Sequence, residues 1–233
     1  MEENLAKGRI AMKKKIRIDE EMKKRWPAAA VGCFQYKVKV KKKNEDMWRY
    51  LKKDIFKKVK DDIFNYGISE IPNIKESRMA YKAFGKDPSR YRVSSEALVR
   101  RIGQGKGIYE VNTVVDTNNL ISIQSGFSAG SYDAEKIGDE LVFRVGREEE
   151  AYQGIGKDMV SVKALPVLAD GEGAVGSSTS DSRRAMITEE TKEVLTLIYC
   201  FSDNGSLEEA LCYGKEYLEK YAGAEQLECW IVK

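Results

Sequence analysis

The sequence predicts an α+β fold, and three observations carry that expectation. Up to about residue 125 the apolar residues recur mainly at helical steps of three and four, whereas from about residue 140 they alternate as in strands. With 233 residues, 42% of them hydrophobic, the chain is long enough to bury a sizeable core. No internal repeat, heptad array or long linker divides it. The expectation is a flexible basic segment over 1–14 and a single domain over 15–233, with a mixed or antiparallel sheet and packed helices.

Taken in order, a short strand over Lys15 to Ile18 follows the basic segment. Asp19 can cap a helix that Pro27 stops near Arg25, and Ala28 to Val40 reads as a long strand, its second half alternating with lysines. Met47, Tyr50, Leu51, Ile55, Val59 and Ile63 place an amphipathic helix over Glu45 to Asn65 with a basic outer face, ended by Gly67. A helix over Pro72 to Ala83 ends at Gly85. Ser94 or Ser95 can cap a short helix that carries Ala97, Leu98 and Ile102 to Gly103. Beyond the next helix, Glu140 to Val145 and Met159 to Leu168 alternate as strands. The small, hydroxyl-rich run Ala169 to Ser182 is expected as a long loop, of the kind that carries function. Val194 to Phe201 is a buried strand, Ser206 caps a last helix to about Tyr221, and Gln226 to Val232 is a final strand.

The segment Val111 to Ser125 organises the rest. Asn112, Asp116 and Asn119 stand four and three apart and share one helical face, while Val111, Val114, Val115, Ile121 and Ile123 cover much of the remainder. Such a helix is expected to be buried against a sheet formed largely by residues 140 to 201. A buried polar group without a partner costs a few kcal/mol. The polar stripe therefore either satisfies neighbouring backbone or lines a pocket, and Gly126 to Gly130 is expected as a flexible turn beside it.

Composition narrows the chemistry. The chain has no histidine, which removes imidazole bases, the Ser-His-Asp and Cys-His devices and the usual zinc hydrolase sites; no metal and no cofactor are expected. Cys33, Cys200, Cys212 and Cys229 form no CxxC pair, and there is neither a secretory signal nor a long apolar run, as expected of a cytoplasmic protein without a membrane partner. The net charge of +3 is uneven: residues 1–65 carry 20 Lys/Arg against 10 Asp/Glu, and the remainder 20 against 27. That asymmetry can steer a polyanion to one end, or describe a solvated strand edge and loop. Arg90, Arg92, Arg100 and Arg101 surround a helix start, where they form either a phosphate cradle or salt bridges to the acidic remainder.

Several stretches carry a family resemblance: VNTVVDTNNLISIQSGFSAGSYDAEKIG, PSRYRVSSEALVRRIGQGKGIYE before it, and SSTSDSRRAMITEETKEVL later. Together they resemble free-standing B3/B4 proteins, related to the editing domain of the bacterial phenylalanyl-tRNA synthetase beta chain, over about Ile16 to Gly223. The resemblance implies an α+β domain that binds the acylated 3′ end of a tRNA; the parent domain hydrolyses tyrosine misattached to phenylalanine tRNA. Asp116 and Asn119 match the parent's VVD aspartate and TNY asparagine. Gly130 stands where the parent has a histidine, and Leu197 where it has a glutamate.

The residues expected around a substrate are Asn112, Asp116, Asn119, Gly126, Gly130, Ser180, Asp181, Arg183 and Thr188, with Arg90, Arg92, Arg100 and Arg101 as nucleic-acid contacts. Each has a structural alternative as a cap, a loop bond or a local ion pair. Two classes of function follow. One is an editing enzyme acting in trans, hydrolysing misacylated aminoacyl-tRNA by orientation and hydrogen bonding. The other is a non-catalytic module that binds RNA or an amino acid on the same scaffold. Synthetase activity itself is not expected, since only the editing part is resembled.

Overall fold

A computed structural model describes residues 12–203 and 205–233, so most of the basic segment expected to be flexible, residues 1–11, lies outside the described residues. Lys14, at the end of that segment, is anchored: its backbone N–H donates to Gln35 Oε1, and its ammonium bonds Ile137 O and Asp139. Strand β1 (Lys15–Ile18) leads to helix α1 (Glu20–Arg25), where the Asp19 carboxylate accepts from the Glu21 N–H, and then to β2 (Ala30–Lys37). β2 stops short of the expected Val40, although Val38 and Val40 stay buried.

The expected Glu45–Asn65 helix is continuous but has two registers, α2 (Glu45–Tyr50) and α3 (Phe56–Tyr66), joined by a π turn over Leu51–Ile55. Leu51, Ile55 and Val59 recur every four residues, which in a pure α-helix drifts about 40° per step. The wider π turn takes up the extra residue, and all three stay in one core with Met47. α4 (Pro72–Ala83) and α5 (Ser94–Gly103) follow, then α6 (Thr113–Ser125).

α6 is buried as expected except at its start, where Val111 lies before the helix and is exposed, and it ends at Gly126, whose φ of 74° is the left-handed turn a helix terminus favours. The flexible turn expected through Gly130 is absent, because the chain enters β3 (Ser128–Asp133), a fully buried strand. β4 (Glu140–Val145), β5 (Ala151–Gln153) and β6 (Met159–Ser161) come next. The single strand expected over Met159 to Leu168 is broken after Ser161, and its second half is β7 (Pro166–Asp170). Likewise most of the expected Ala169–Ser182 loop is a hairpin: β7 turns at Gly171 and returns as β8 (Gly173–Ser177), leaving only Ser178 onward as loop. Small residues there permit close strand contact, which composition alone reads as loop. β9 (Glu193–Cys200), α7 (Ser206–Tyr217) and β10 (Glu225–Val232) complete the chain. Ser206 is the first residue of α7 rather than its cap, and its hydroxyl donates to Asn73 Oδ1.

Two four-stranded sheets result. The order β1-β4-β7-β8 is mixed, with β1 parallel to β4, and β10-β2-β9-β3 is antiparallel throughout. Their facing sides share one core, in which Leu141, Phe143, Leu168 and Val175 of the first meet Val31, Cys33, Leu195, Leu197 and Tyr199 of the second. α6 and α7 cover the other side of the antiparallel sheet, against Phe34, Ala129, Val194 and Ile198. The sheet under α6 thus differs from the expected one: of its strands only β9 falls within 140–201, because β2 and β10 come from near the two ends of the chain and β3 directly follows α6. Among the described residues no helix is long and apolar enough to cross a membrane.

Candidate functional site

The two sheets approach each other at their outer strands, β3 and β8, and the polar centre of the molecule lies at that junction. Gly130 on β3 and Gly176 on β8 leave room for two side chains. A Cβ at residue 130 would lie 2.4 Å from the Tyr132 hydroxyl and 3.2 Å from Asp181 Oδ1, and one at residue 176 would lie 2.4 and 2.5 Å from the same atoms. The Tyr132 hydroxyl donates to Asp181 Oδ1 at 2.8 Å and meets the Tyr199 hydroxyl at 2.5 Å. Burial pushes the Asp181 carboxyl up to about 7, against the lowering effect of the Tyr132 hydrogen bond. Burial also raises both tyrosines well above the usual phenol range.

Hydroxyls surround this centre. Tyr81 bonds Ser178 Oγ and Thr179 Oγ1, each at 2.7 Å, and Tyr152 donates to Ser180 O. Ser177 Oγ accepts from the Thr179 and Ser180 N–H groups, which folds residues 177–180 into a tight turn. The start of α5 closes one side, with Ser94 N donating to Ser178 O and Ser95 N to Ser128 Oγ. The hydroxyl-rich run was visible in the sequence. The tyrosines were not, because nothing local distinguishes Tyr81, Tyr132, Tyr152 and Tyr199 from ordinary core aromatics.

The residues singled out from the sequence fall in separate places. Ser180, Asp181 and Arg183 lie together at the junction. Gly130 joins them from β3, while Leu197 is buried in the inter-sheet core. Asn112, Asp116 and Asn119 lie on the opposite side of the antiparallel sheet. Asn112 caps α6 by accepting from the Val114 and Val115 N–H groups. Asp116, fully buried, accepts from Trp48 Nε1 at 3.0 Å and Val111 N at 2.9 Å, and burial raises its carboxyl. Asn119 is half-buried and its amide makes no hydrogen bond among the described residues. Its neighbour Asn118 is the buried amide, donating to Ala129 O and accepting from Ser131 Oγ, which in turn meets Thr196. Gly126 lies beside Asn73 and Ile71, and Thr188 closes a turn by accepting from Glu190 N.

The arginines divide as well. Arg100, with Arg78, clamps the fully buried Glu96, so it is a structural ion pair. Arg101 bonds Gly107 O and lies over the Tyr109 ring. Arg90 and Arg92 are exposed and form no ion pair among the described residues. Their loop is tied to the junction through Tyr91, which packs beside Tyr81 and Tyr152.

Two open clefts flank the junction. One of about 390 Å³ is lined by Gln153 to Asp158, Arg183 and Met186, and one of about 670 Å³ by residues that include Tyr152, Glu172, Ser182 and Arg183. Arg183 is common to both, exposed and without an ion pair among the described residues. The β5–β6 hairpin is held over the site by Ile155 N donating to Asp181 O. The clefts hold the cation, while Asp181, Tyr132 and the Ser177–Ser180 hydroxyls line neither of them and are bonded among themselves beside it, with one carboxyl that is easily protonated. Among the described residues no three His, Cys, Asp or Glu side chains are grouped to hold a metal ion.

The comparisons bear on this architecture. The B3/4 domain family profile matches residues 76–210, more than half the chain, and the chain belongs to that family. The matched span includes the junction, with Tyr81, Gly130, Tyr132, Gly176, Asp181 and Tyr199. No curated protein matches. Among solved structures the chain is similar to an N-terminal fragment of the phenylalanyl-tRNA synthetase beta-subunit from Pyrococcus horikoshii, at 14% identity and a TM-score of 0.48. The alignment covers 93% of this chain and 51% of that one, so the chain spans about half the length of that fragment.

Proposed function

We propose that this B3/4 protein binds the aminoacylated 3′ end of a transfer RNA at the β3–β8 junction. The observation that supports this most is the nearness of a buried polar centre, made by Asp181, Tyr132 and the Ser177–Ser180 hydroxyls, to a cation in the adjoining clefts, Arg183, that forms no ion pair among the described residues. The aminoacyl group, with its ammonium and ester, suits the hydroxyls and the carboxyl. A terminal phosphate suits Arg183, with Arg90 and Arg92 reaching the chain beyond. The α6 residues Asn112 and Asp116 then hold the scaffold, Asn119 remains available to a ligand on the helix side, and Gly126 and Thr188 shape the turns at its ends.

A second reading, hydrolysis of a misacylated tRNA, is favoured by the Asp181 carboxyl alone. A carboxyl at about 7 is close to half-ionised in neutral solution, so it can take a proton from an attacking water and return it to the leaving ribose oxygen. Water adds to the ester carbonyl, the ester C–O bond breaks, and free amino acid and tRNA leave. A panel of misacylated tRNAs separates the readings. Deacylation above the buffer rate that is lost in Asp181→Asn supports the enzyme. Binding without deacylation leaves the module, and neither result with any tRNA overturns both.

A further inference from the structure

The outer face of the rod formed by α2, the π turn and α3 carries a row of cations. Lys53, Lys57, Lys60 and Phe64 follow at steps of four, three and four, so they line one side of the rod. Leu51, Ile55 and Val59 occupy its buried side. Lys53, Lys57 and Lys60 are all exposed, and none forms an ion pair or hydrogen bond among the described residues; nor does Lys58 beside them. Lysines at the start of the rod behave otherwise, since Lys43 and Lys52 are both drawn to Glu110. Asp54 and Asp61 border the stripe, but from Arg49 to Tyr66 six Lys/Arg stand against three Asp/Glu.

One aromatic side chain, Phe64, ends the stripe, while Tyr66, two residues on, stands about 200° round the helix. Phe64 is 89% exposed and Tyr66 60% exposed, and neither contributes to a core cluster. Unpaired cations in a row with an exposed ring at one end suit a nucleic-acid strand, the cations meeting phosphates and the ring an unstacked base. A lipid surface fits less well, because the apolar side an interfacial helix must insert is already packed in the core.

We propose that this face binds the phosphate backbone of the same transfer RNA, with Phe64 stacking on an unpaired nucleotide. The inference rests on the tRNA reading given above and assigns the body of the RNA to a surface separate from the junction.

The test is the full chain carrying Lys53→Glu, Lys57→Glu and Lys60→Glu, titrated with deacylated tRNA over a range of salt concentrations. Expected is an affinity loss of at least about tenfold at low salt, with the slope of log affinity against log salt reduced by about 2 to 3, one unit per lost phosphate contact. Phe64→Ala should weaken binding and leave that slope unchanged. A thermal melt checks folding, and the corresponding Lys→Gln triple variant replaces the Glu triple should the latter melt early. Unchanged affinity and slope in a folded triple variant overturn this proposal while the tRNA reading stands. Wild-type protein that binds no tRNA at low salt overturns both. Tighter binding to phosphatidylserine–phosphatidylcholine vesicles than to tRNA, lost in the same variant, assigns the face to a membrane and also overturns the proposal.

Discussion

Gly130 on β3 and Leu197 on β9 are directly paired across the antiparallel ladder. The resemblance sets a parent histidine and a parent glutamate against these two positions, and the pairing puts both on one face of the sheet. The space a side chain at 130 would need is taken by the Tyr132 hydroxyl and the Asp181 carboxyl. Those two groups supply polar character at the junction.

Gly130→Ala should consequently destabilise the protein by about 1–3 kcal/mol through overpacking. Tyr132→Phe removes the oxygen 2.4 Å from the new Cβ and leaves the ring carbon at 2.9 Å, so the double variant should recover part of that loss. Urea denaturation of the two single variants and the double variant measures the coupling; strict additivity would show that residue 130 does not pack on Tyr132.

Asp181 should make stability depend on pH in an unusual direction. Its folded value, about 7, lies above the ordinary 3.8, so the native state holds a proton that the unfolded chain has released. The associated stability is fully present below the ordinary value and is lost as pH rises towards 7. Asp139, Asp170 and Glu150 are shifted down and act oppositely, but only at acid pH. Thermal melts of wild type and Asp181→Asn between pH 5 and 8 isolate the effect: the wild type should fall relative to the variant as pH rises, and parallel curves would place Asp181 in ordinary solvent.

Asn118 and Asn119 should respond differently to truncation. Asn118→Ala removes the side-chain donor to Ala129 O and one of the two partners of the Ser131 hydroxyl, which keeps Thr196, and should cost about 1–3 kcal/mol. Asn119 has no partner among the described residues, so Asn119→Ala should leave stability within about 0.5 kcal/mol. Equal losses in chemical denaturation would contradict this assignment.

The same pair shows how far the sequence was legible. The α6 periodicity reveals a buried helix, and the structure contains it, but of the expected stripe only Asp116 is a buried helical residue, Asn112 being the cap and Asn119 half-buried. Which polar residue meets the sheet depends on how far β3 brings Ala129 and Ser131 back onto the helix, a distance that no spacing within α6 encodes. The pairing of Ala30–Lys37 with Glu193–Cys200 and Glu225–Val232 is equally non-local, which is why the sheet under α6 was expected from the wrong residues. Ser180, Asp181 and Arg183 stood out because a hydroxyl-rich run ending in charges is rare in a simple connection. Tyr132 and Tyr199, 67 residues apart in sequence, gave no such signal.

The central claim is that the junction holds the aminoacyl end of a tRNA. The most direct test compares wild type, Asp181→Asn and Arg183→Ala for binding to deacylated tRNA and to the same tRNA carrying an amide-linked, non-hydrolysable amino acid. The account predicts that wild type prefers the aminoacylated form, that Asp181→Asn loses the preference while still binding tRNA, and that Arg183→Ala weakens binding to both. Equal affinity of wild type for the two forms, with every amino acid tried, would contradict it.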